Sequence, residues 1–229
     1  MNELLEGKTS GDFNIMEQKV VSNDDHIRKR ISRIKQNEVH KRIYDVVLVM
    51  LFAPIVLILV ALLGVLIRLD SSGPVFYRQK RLGRGQNPFV MLKLRTMRND
   101  HMEDNPLDTS IDLSRVTRVG RWLRKTRLDE LPQLWNVFVG DMSIVGPRPE
   151  RVELTQIYAQ HIEGYHERHR MRPGITGLAQ LRQGYTTTMD ETRIKLVWDL
   201  CYIDRHSLWY DAVILVQTLR SLFVGIGER

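Results

Sequence analysis

Two adjacent carboxylates, Asp129 and Glu130, stand in the stretch "RKTRLDELPQLWN" (residues 124–136), behind Arg124, Lys125 and Arg127 and just before Pro132. Read locally, Asp129 is a helix N-cap and Glu130 a first-turn acid. Pro132 is tolerated there because first-turn amides lack partners. The wider surroundings point to chemistry. Arg115, Arg118 and Arg121 also precede the pair, and Arg118, Arg121 and Arg124 recur at a spacing of three, near one helical face. Such a cluster beside two acids suits a bound phosphate group, with the carboxylates kept ionised. An ionised carboxylate held against a phosphate can attack phosphorus and form an acyl phosphate. Neighbours on a helix diverge by ~100°, so the two acids have different tasks. One attacks while the other assists, or one faces Mg²⁺, which on a diphosphate takes only one or two protein carboxylates.

Further cations fit the same ligand. Arg148 stands between Pro147 and Pro149 in "GPRPE". Prolines on both sides restrict the backbone and lower the cost of aiming a guanidinium, whose fork suits bidentate phosphate contact. Lys93 and Arg95 alternate with apolar residues in "KLRTM", so on a strand they project from one face. Each has a plainer reading, as a turn arginine and as a solvated strand face. The histidines give no metal spacing: "HIEGYHERH" places His166 and His169 on one helical face but lacks HExxH. The single cysteine, Cys201, rules out an intrachain disulfide and fits a reducing compartment.

The elements that must position these residues begin with an apolar run, "VVLVMLFAPIVLILVALLGVLI" (residues 46–67). As a straight helix it would be about 33 Å long, enough to cross a bilayer. It starts too late for a signal peptide. Pro54 interrupts its hydrogen-bonding and predicts a kink. Basic residues flank both ends, Arg28 to Arg42 before it and Arg68 to Arg84 after it. A single span would put one basic flank on the wrong side of the membrane, whereas a helix that turns at Pro54 keeps both on the cytoplasmic side. Three readings remain: re-entrant, spanning, and buried core helix. Residues 1–40 form a polar arm, basic from Arg28 and helical in composition from Asp24 or Asp25, either solvated or lying on anionic headgroups. Residues 74–97 predict a β-hairpin, 98–114 an acidic loop, and "GDMSIVGPRPE" and "RMRPGITGLAQ" two further loops. After His206 an amphipathic helix carries Trp209, Val213, Val216 and Leu219 at helical spacing, a stripe that suits a core or a lipid surface. The expected division is an arm (1–40), a membrane helix (41–70) and a catalytic domain (71–229).

With 34 Lys and Arg against 27 Asp and Glu, the 229-residue chain carries a net charge of +7, which favours an anionic partner. A nucleic-acid binder is set aside, because the apolar run has no role there and no binding motif of that class appears. A non-enzymatic membrane scaffold would use the basic arm and amphipathic helices but would not need the acidic pair.

"SGPVFYRQKRLGRG", "FVMLKLRTM", "RLDELPQLWNVFVGDMSIVGPRPE" and "RMRPGITGLAQ" follow in this order after a proline-broken apolar helix. Together they closely resemble the monotopic phosphoglycosyl transferases, also called bacterial sugar transferases, over residues 40–225. The resemblance implies a mainly helical α+β, membrane-associated (monotopic) fold with a re-entrant helix broken at Pro54, a short β-hairpin and interfacial amphipathic helices. It implies transfer of a hexose 1-phosphate from a UDP-sugar to undecaprenyl or another polyprenyl phosphate, with Mg²⁺, at the cytoplasmic face of a bacterial inner membrane, as the first membrane step of polysaccharide or glycoprotein glycan assembly. Carried over by motif, Asp129 is the nucleophile and a magnesium contact, and Glu130 assists. Lys93, Arg124, Arg148, Arg172 and Asp199 match further polar positions that bind substrate. Ala53 stands where the family often has serine, Ser72 where proline is common and Leu94 where an aromatic is common. With only a short arm before the apolar helix, the chain resembles the minimal catalytic form. The sugar and the pathway are not readable, and a homodimer is left open.

Overall fold

A computed structural model describes residues 24–98, 113–183 and 188–224. The arm up to residue 23 and most of the acidic stretch, residues 99–112, lie outside the described residues. The chain divides into two compact units, Met1–Val39 and His40–Arg229. The second contains the apolar run and both sheets.

The first helix, α1 (Asp24–Asp70), carries the apolar run and remains helical through Pro54. Its burial is split. Before Pro54, Lys41, Asp45 and Val49 are buried at a spacing of four, one face of the helix. After it, Leu63 and Ile67 are buried at the same spacing. Between them Met50, Leu51, Phe52, Ile55, Leu57 and Ile58 are all exposed. A soluble core helix would bury this stretch, so the core reading of the run is excluded for its middle.

The expected hairpin forms. Strands β1 (Phe76–Leu82) and β2 (Pro88–Leu94) pair antiparallel, with Phe76 opposite Leu94 and Leu82 opposite Pro88. The turn closes through Gly83 N donating to Asn87 O at 2.8 Å. Then come α2 (Arg118–Thr126), a 3-10 turn (Leu128–Glu130) and α3 (Gln133–Val139). Two expected loops each contain a short strand: β3 (Ser143–Val145) and β4 (Gly174–Thr176) pair in parallel. Helix α4 (Val152–His161) and a 3-10 segment (Tyr165–Arg170) lie between them. Helices α5 (Leu178–Gln183), α6 (Met189–Arg205) and α7 (Leu208–Val224) complete the order. Thr188 and Glu191 form a reciprocal capping box at the start of α6. The fold is therefore mainly helical α+β, with one long apolar helix and two small sheets.

The core is built on α1. Val49 packs with Met91, Val137 and Met142, joining α1 to β2 and α3. Leu63 and Ile67 pack with Leu94 and Leu123, joining the other end of α1 to β2 and α2. Helix α7 buries Asp211 and Ile214 and leaves Trp209, Val216 and Leu219 exposed, Trp209 at 79%. The apolar stripe read from the sequence thus faces outward, apart from the half-buried Val213.

Strands β3 and β4 explain the two glycine-bearing motifs. Gly146 N donates to Thr176 O at 2.8 Å, and Gly174 N to Pro147 O at 2.9 Å. A Cβ at Gly174 would lie 2.1 Å from Gly146 N, and one at Gly146 would lie 2.6 Å from Arg172 O. These neighbours are backbone and cannot swing away. Gly174→Ala is expected to cost about 1–3 kcal/mol or more through this clash. Its melting temperature in detergent or nanodiscs should fall by several degrees, and an unchanged value would contradict the close approach.

Candidate active site

The expected N-cap is not what Asp129 forms. Helix α2 ends at Arg127, whose backbone is left-handed (φ 59, ψ 13) and whose N–H bonds to Arg124 O and Leu123 O. A left-handed arginine costs on the order of 1 kcal/mol and turns the chain sharply. Asp129 and Glu130 then occupy the 3-10 turn, and Pro132 takes the N-cap position of α3 with no side-chain cap. Both acids are buried, each about 7% exposed, where an N-cap on a surface helix would be wet.

Burial separates their roles. Glu130 Oε1 accepts from Lys93 Nζ at 2.9 Å and from Arg148 Nη2 at 2.7 Å. Burial favours the neutral acid, yet Arg148 and Lys93 outweigh it and hold the Glu130 carboxyl well below the usual range. Burial in turn pushes the Lys93 ammonium down, with Glu130 pulling against it. Asp129 is different. Among the described residues its Oδ1 is buried and has no hydrogen-bond partner. Burial raises its pKa; Lys93 opposes the rise and the neighbouring Glu130 adds to it. A buried acceptor left without a donor is costly, and in native proteins such a group calls for an explanation. A nucleophile or metal ligand awaiting its substrate is one.

Three elements aim this cluster. Strand β2 supplies Lys93. It is fixed to α3 by Asn136, which accepts from Leu92 N at 3.0 Å and donates to Val90 O at 2.7 Å. The loop after β3 supplies Arg148, and that loop is held from behind. Arg168 Nη2 donates to Arg148 O at 2.8 Å, and Arg81 Nη1 to Pro149 O at 3.1 Å. Arg168 also places Nε and Nη2 on Asp199 Oδ2 at 2.9 and 2.7 Å. Burial opposes its charge, but Tyr165, Asp199 and Glu150 hold the guanidinium above its usual range. Next in the chain, Glu150 is gripped by Lys195 and lies 3.9 Å from Arg81. These cations outweigh burial and hold it at about 2.

Of the residues expected from sequence, the structure brings Asp129, Glu130, Lys93 and Arg148 together. Arg124 Nε donates to Thr96 Oγ1 at 2.8 Å, just beyond the end of β2. Arg172 Nε donates to Gly140 O at 2.9 Å, at the end of α3 away from the dyad. Asp199 is fully buried behind the loop as the partner of Arg168. Asn136 and Arg168 went unnoticed in the sequence. The first is a lone amide within the apolar "LWNVFV", a usable signal for a buried polar tie; the second is lost in the basic run "HERHR". No three His, Cys, Asp or Glu side chains converge among the described residues.

A sequence profile described as "Bacterial sugar transferase" matches residues 36–225, which takes in every element of this cluster. The chain belongs to the bacterial sugar transferase family. The chain is 45% identical over 193 residues to the UDP-glucose:undecaprenyl-phosphate glucose-1-phosphate transferase of Caulobacter vibrioides, covering 81% of this chain and 70% of that one. It is 41% identical over 189 residues to the UDP-N-acetylgalactosamine-undecaprenyl-phosphate N-acetylgalactosaminephosphotransferase of Aeromonas hydrophila, covering 82% and 45%. It is also 41% identical over 193 residues to the UDP-glucose:undecaprenyl-phosphate glucose-1-phosphate transferase of Escherichia coli, covering 82% and 41%. The chain thus spans less than half the length of the last two relatives.

Asn136→Ala would leave the Leu92 N–H and the Val90 carbonyl without their side-chain partner. The expected cost is about 2–4 kcal/mol. Thermal unfolding of the purified variant in nanodiscs should show it as a clear drop in melting temperature. A variant as stable as the parent would mean that β2 and α3 are held by packing alone.

Proposed function

We propose that this transferase moves a hexose 1-phosphate from a UDP-sugar to undecaprenyl phosphate, releasing UMP, through a covalent phospho-sugar intermediate on Asp129. The observation that carries the reading is the contrast within the dyad: Glu130 is held by two cations while Asp129 Oδ1 is buried and unpartnered. The relatives' names supply the donor and acceptor classes. Because one acts on UDP-glucose and another on UDP-N-acetylgalactosamine, the sugar is left as a hexose.

In the first step an Asp129 oxygen attacks the sugar-bearing phosphorus. An aspartyl–phosphorus bond forms, the bond to the bridging oxygen breaks, and UMP departs with the electron pair. In the second step an oxygen of undecaprenyl phosphate attacks the same phosphorus and the aspartyl oxygen leaves. Asp129 is restored, and the product is the sugar diphosphate of the lipid. Arg148 and Lys93 stand where they offset charge on the phosphates and keep Glu130 ionised. Covalent catalysis lets a soluble donor and a membrane-held acceptor use one small site in turn. The orphaned Asp129 oxygen also fits Mg²⁺, which takes one or two carboxylates and fills its shell from phosphates and water. Bound there, the ion would neutralise diphosphate charge.

The split burial of α1 supports a membrane geometry. On one side of Pro54, Lys41 Nζ meets Asp211 Oδ2 at 2.5 Å and Asp45 Oδ1 accepts from Ile144 N at 3.2 Å. On the other, Asp70 Oδ2 accepts from Val119 N at 2.9 Å. Both ends of the apolar run therefore touch one domain. A helix crossing a bilayer separates its ends by ~30 Å of hydrocarbon. The contacts favour a helix that enters and leaves by the same face, with exposed Met50–Ile58 in lipid. Exposed Trp122, Trp135, Phe138, Trp209, Val216 and Leu219 suit the interface. A UDP-sugar donor and the basic flanks support a position on the cytoplasmic side of the bacterial inner membrane.

Two measurements test this reading. With UDP-sugar alone, Asp129→Asn should lose UMP release by on the order of 10³-fold or more and form no labelled covalent enzyme. Normal turnover by that variant would move the nucleophile elsewhere. The pH profile gives a second check. The anion of Asp129 reacts, and burial raises its pKa, so the rate is full above that raised pKa and lost as pH falls through it. Lys93 is the foremost charge keeping Asp129 ionised. Lys93→Met should therefore move the acid limb of kcat/KM to higher pH; a limb that stays or moves down excludes Asp129 as the titrating group.

A further inference from the structure

The dyad turn, Arg127–Pro132, is a short link between two short helices, nine residues in α2 and seven in α3. Helices of this length do not hold themselves and depend on what fixes their ends. The structure fixes the far end of each with a charged side chain from α1. At the start of α2, the Val119 N–H donates to Asp70 Oδ2 at 2.9 Å. At the close of α3, Arg42 donates through Nη1 to Val137 O and through Nη2 to Phe138 O, the latter at 2.6 Å. The guanidinium lies so near the following turn that a Cβ at Gly140 would stand 3.6 Å from its Nη2. An anion meets the amide end of one helix and a cation meets the carbonyl end of the other, the favourable sense at both. Each end has a second tie: Thr117 Oγ1 accepts from Gly120 N, and Arg172 Nε donates to Gly140 O.

Arg42 and Asp70 lie on opposite sides of the exposed apolar stretch, one before Pro54 and one after. The two arms of α1 thus grip the outer ends of the helix–turn–helix that carries Asp129. Lys93 and Arg148, which hold Glu130, come from other elements. We infer that Arg42 and Asp70 are positioning residues for the transfer reaction, through which the seated membrane helix sets the place of Asp129 relative to the phosphate-facing cations. Neither reaches the dyad itself, so each acts through the helix it caps. The inference rests on the reading of Asp129 as nucleophile.

Its consequence is specific. Loosening either cap displaces the attacking oxygen and leaves the cations that meet the phosphate in place. Misplacement by 1 Å can cost ~10²-fold in rate. In full-length protein in phosphatidylethanolamine/phosphatidylglycerol nanodiscs, Arg42→Ala and Asp70→Ala should each lower the kcat of covalent-adduct formation from UDP-sugar by about 10-fold to 100-fold. KM should change by less than about threefold, since binding contacts remain. Arg42→Lys, which can still donate to one carbonyl, and Asp70→Asn, which keeps an acceptor for Val119 N, should each recover most of that loss. The double alanine variant should lose less than the product of the single losses, because both act on one turn.

A purely structural role would instead reduce the amount of adduct-competent enzyme at an unchanged rate per competent molecule, with conservative variants no better than alanine. That outcome, or kcat values equal to the parent, overturns the inference. The wild-type control separates it from its premise: a parent enzyme that forms no adduct on Asp129 refutes the nucleophile, whereas a parent that labels beside alanine variants that label equally fast refutes only the grip.

Discussion

Glu130 between Lys93 and Arg148 is the contact on which the rest of the site depends. Its carboxylate accepts from both cations at 2.9 and 2.7 Å in a buried setting, so it stays ionised. Lys93 also acts on Asp129 through its charge. Asp129, one residue earlier, has a buried oxygen that no group among the described residues donates to. Two chemically similar acids thereby receive opposite environments, and opposite environments are what give two carboxylates distinct tasks. Buried ion pairs seldom add much to stability, but losing one partner strands the other charge. The cluster is better understood as fixing geometry than as holding the fold together.

Local signals were the part of the structure legible in the sequence. The hairpin followed from two β-prone runs around a Gly-rich loop, and its register came out as a full antiparallel pairing from Phe76 to Leu82. The apolar run announced a helix, and the acidic pair with its neighbouring cations announced a cluster, which the structure assembles from Asp129, Glu130, Lys93 and Arg148. Three things were not legible. The parallel pairing of β3 with β4 joins segments some thirty residues apart, and strands of three residues carry no periodicity. The role of Asp129 as something other than a cap depended on Arg127 adopting a left-handed backbone, which its residue type does not favour. Asp199 carried a family position but not a direction: burial behind Arg168 makes it a support of the Arg148 loop, a distinction only three-dimensional placement can draw.

The exposed stripe on α7 shows the same limit from another side. Trp209, Val216 and Leu219 have the spacing of a core face, yet the helix buries Asp211 and Ile214 instead. Hydrophobic periodicity identifies a face that avoids water without saying whether protein or lipid covers it. The buried Asp211 shows which face the protein holds, because it accepts from Lys41 at 2.5 Å and from the Tyr202 hydroxyl at 2.7 Å. A polar face tied into the protein leaves the apolar face uncovered among the described residues, and on the proposed function that face suits the bilayer surface.

On the proposed function, this arrangement also answers how a helix embedded in lipid could set the geometry of the site. Apolar contacts such as those of Val49 and Leu63 are non-directional, and a helix held by them alone could slide or rotate by one turn at little cost. Directed bonds cannot be traded in that way. Lys41 to Asp211, Arg42 to the α3 carbonyls and Asp45 to Ile144 N fix one arm of α1, and Asp70 to Val119 N fixes the other. Arg95 adds a tie to Ser71 and Ser72 in the exit turn at 2.6 and 2.8 Å. Each of these polar groups sits at an end of the apolar stretch, and the buried ones among them, Lys41, Asp45, Asp211 and Arg95, each have a hydrogen-bond partner that offsets the cost of burial. The middle of the run carries none. The polar ends supply register, and on the proposed membrane reading the apolar middle supplies depth, so one helix would set both the height of the site above the lipid and the orientation of the residues within it.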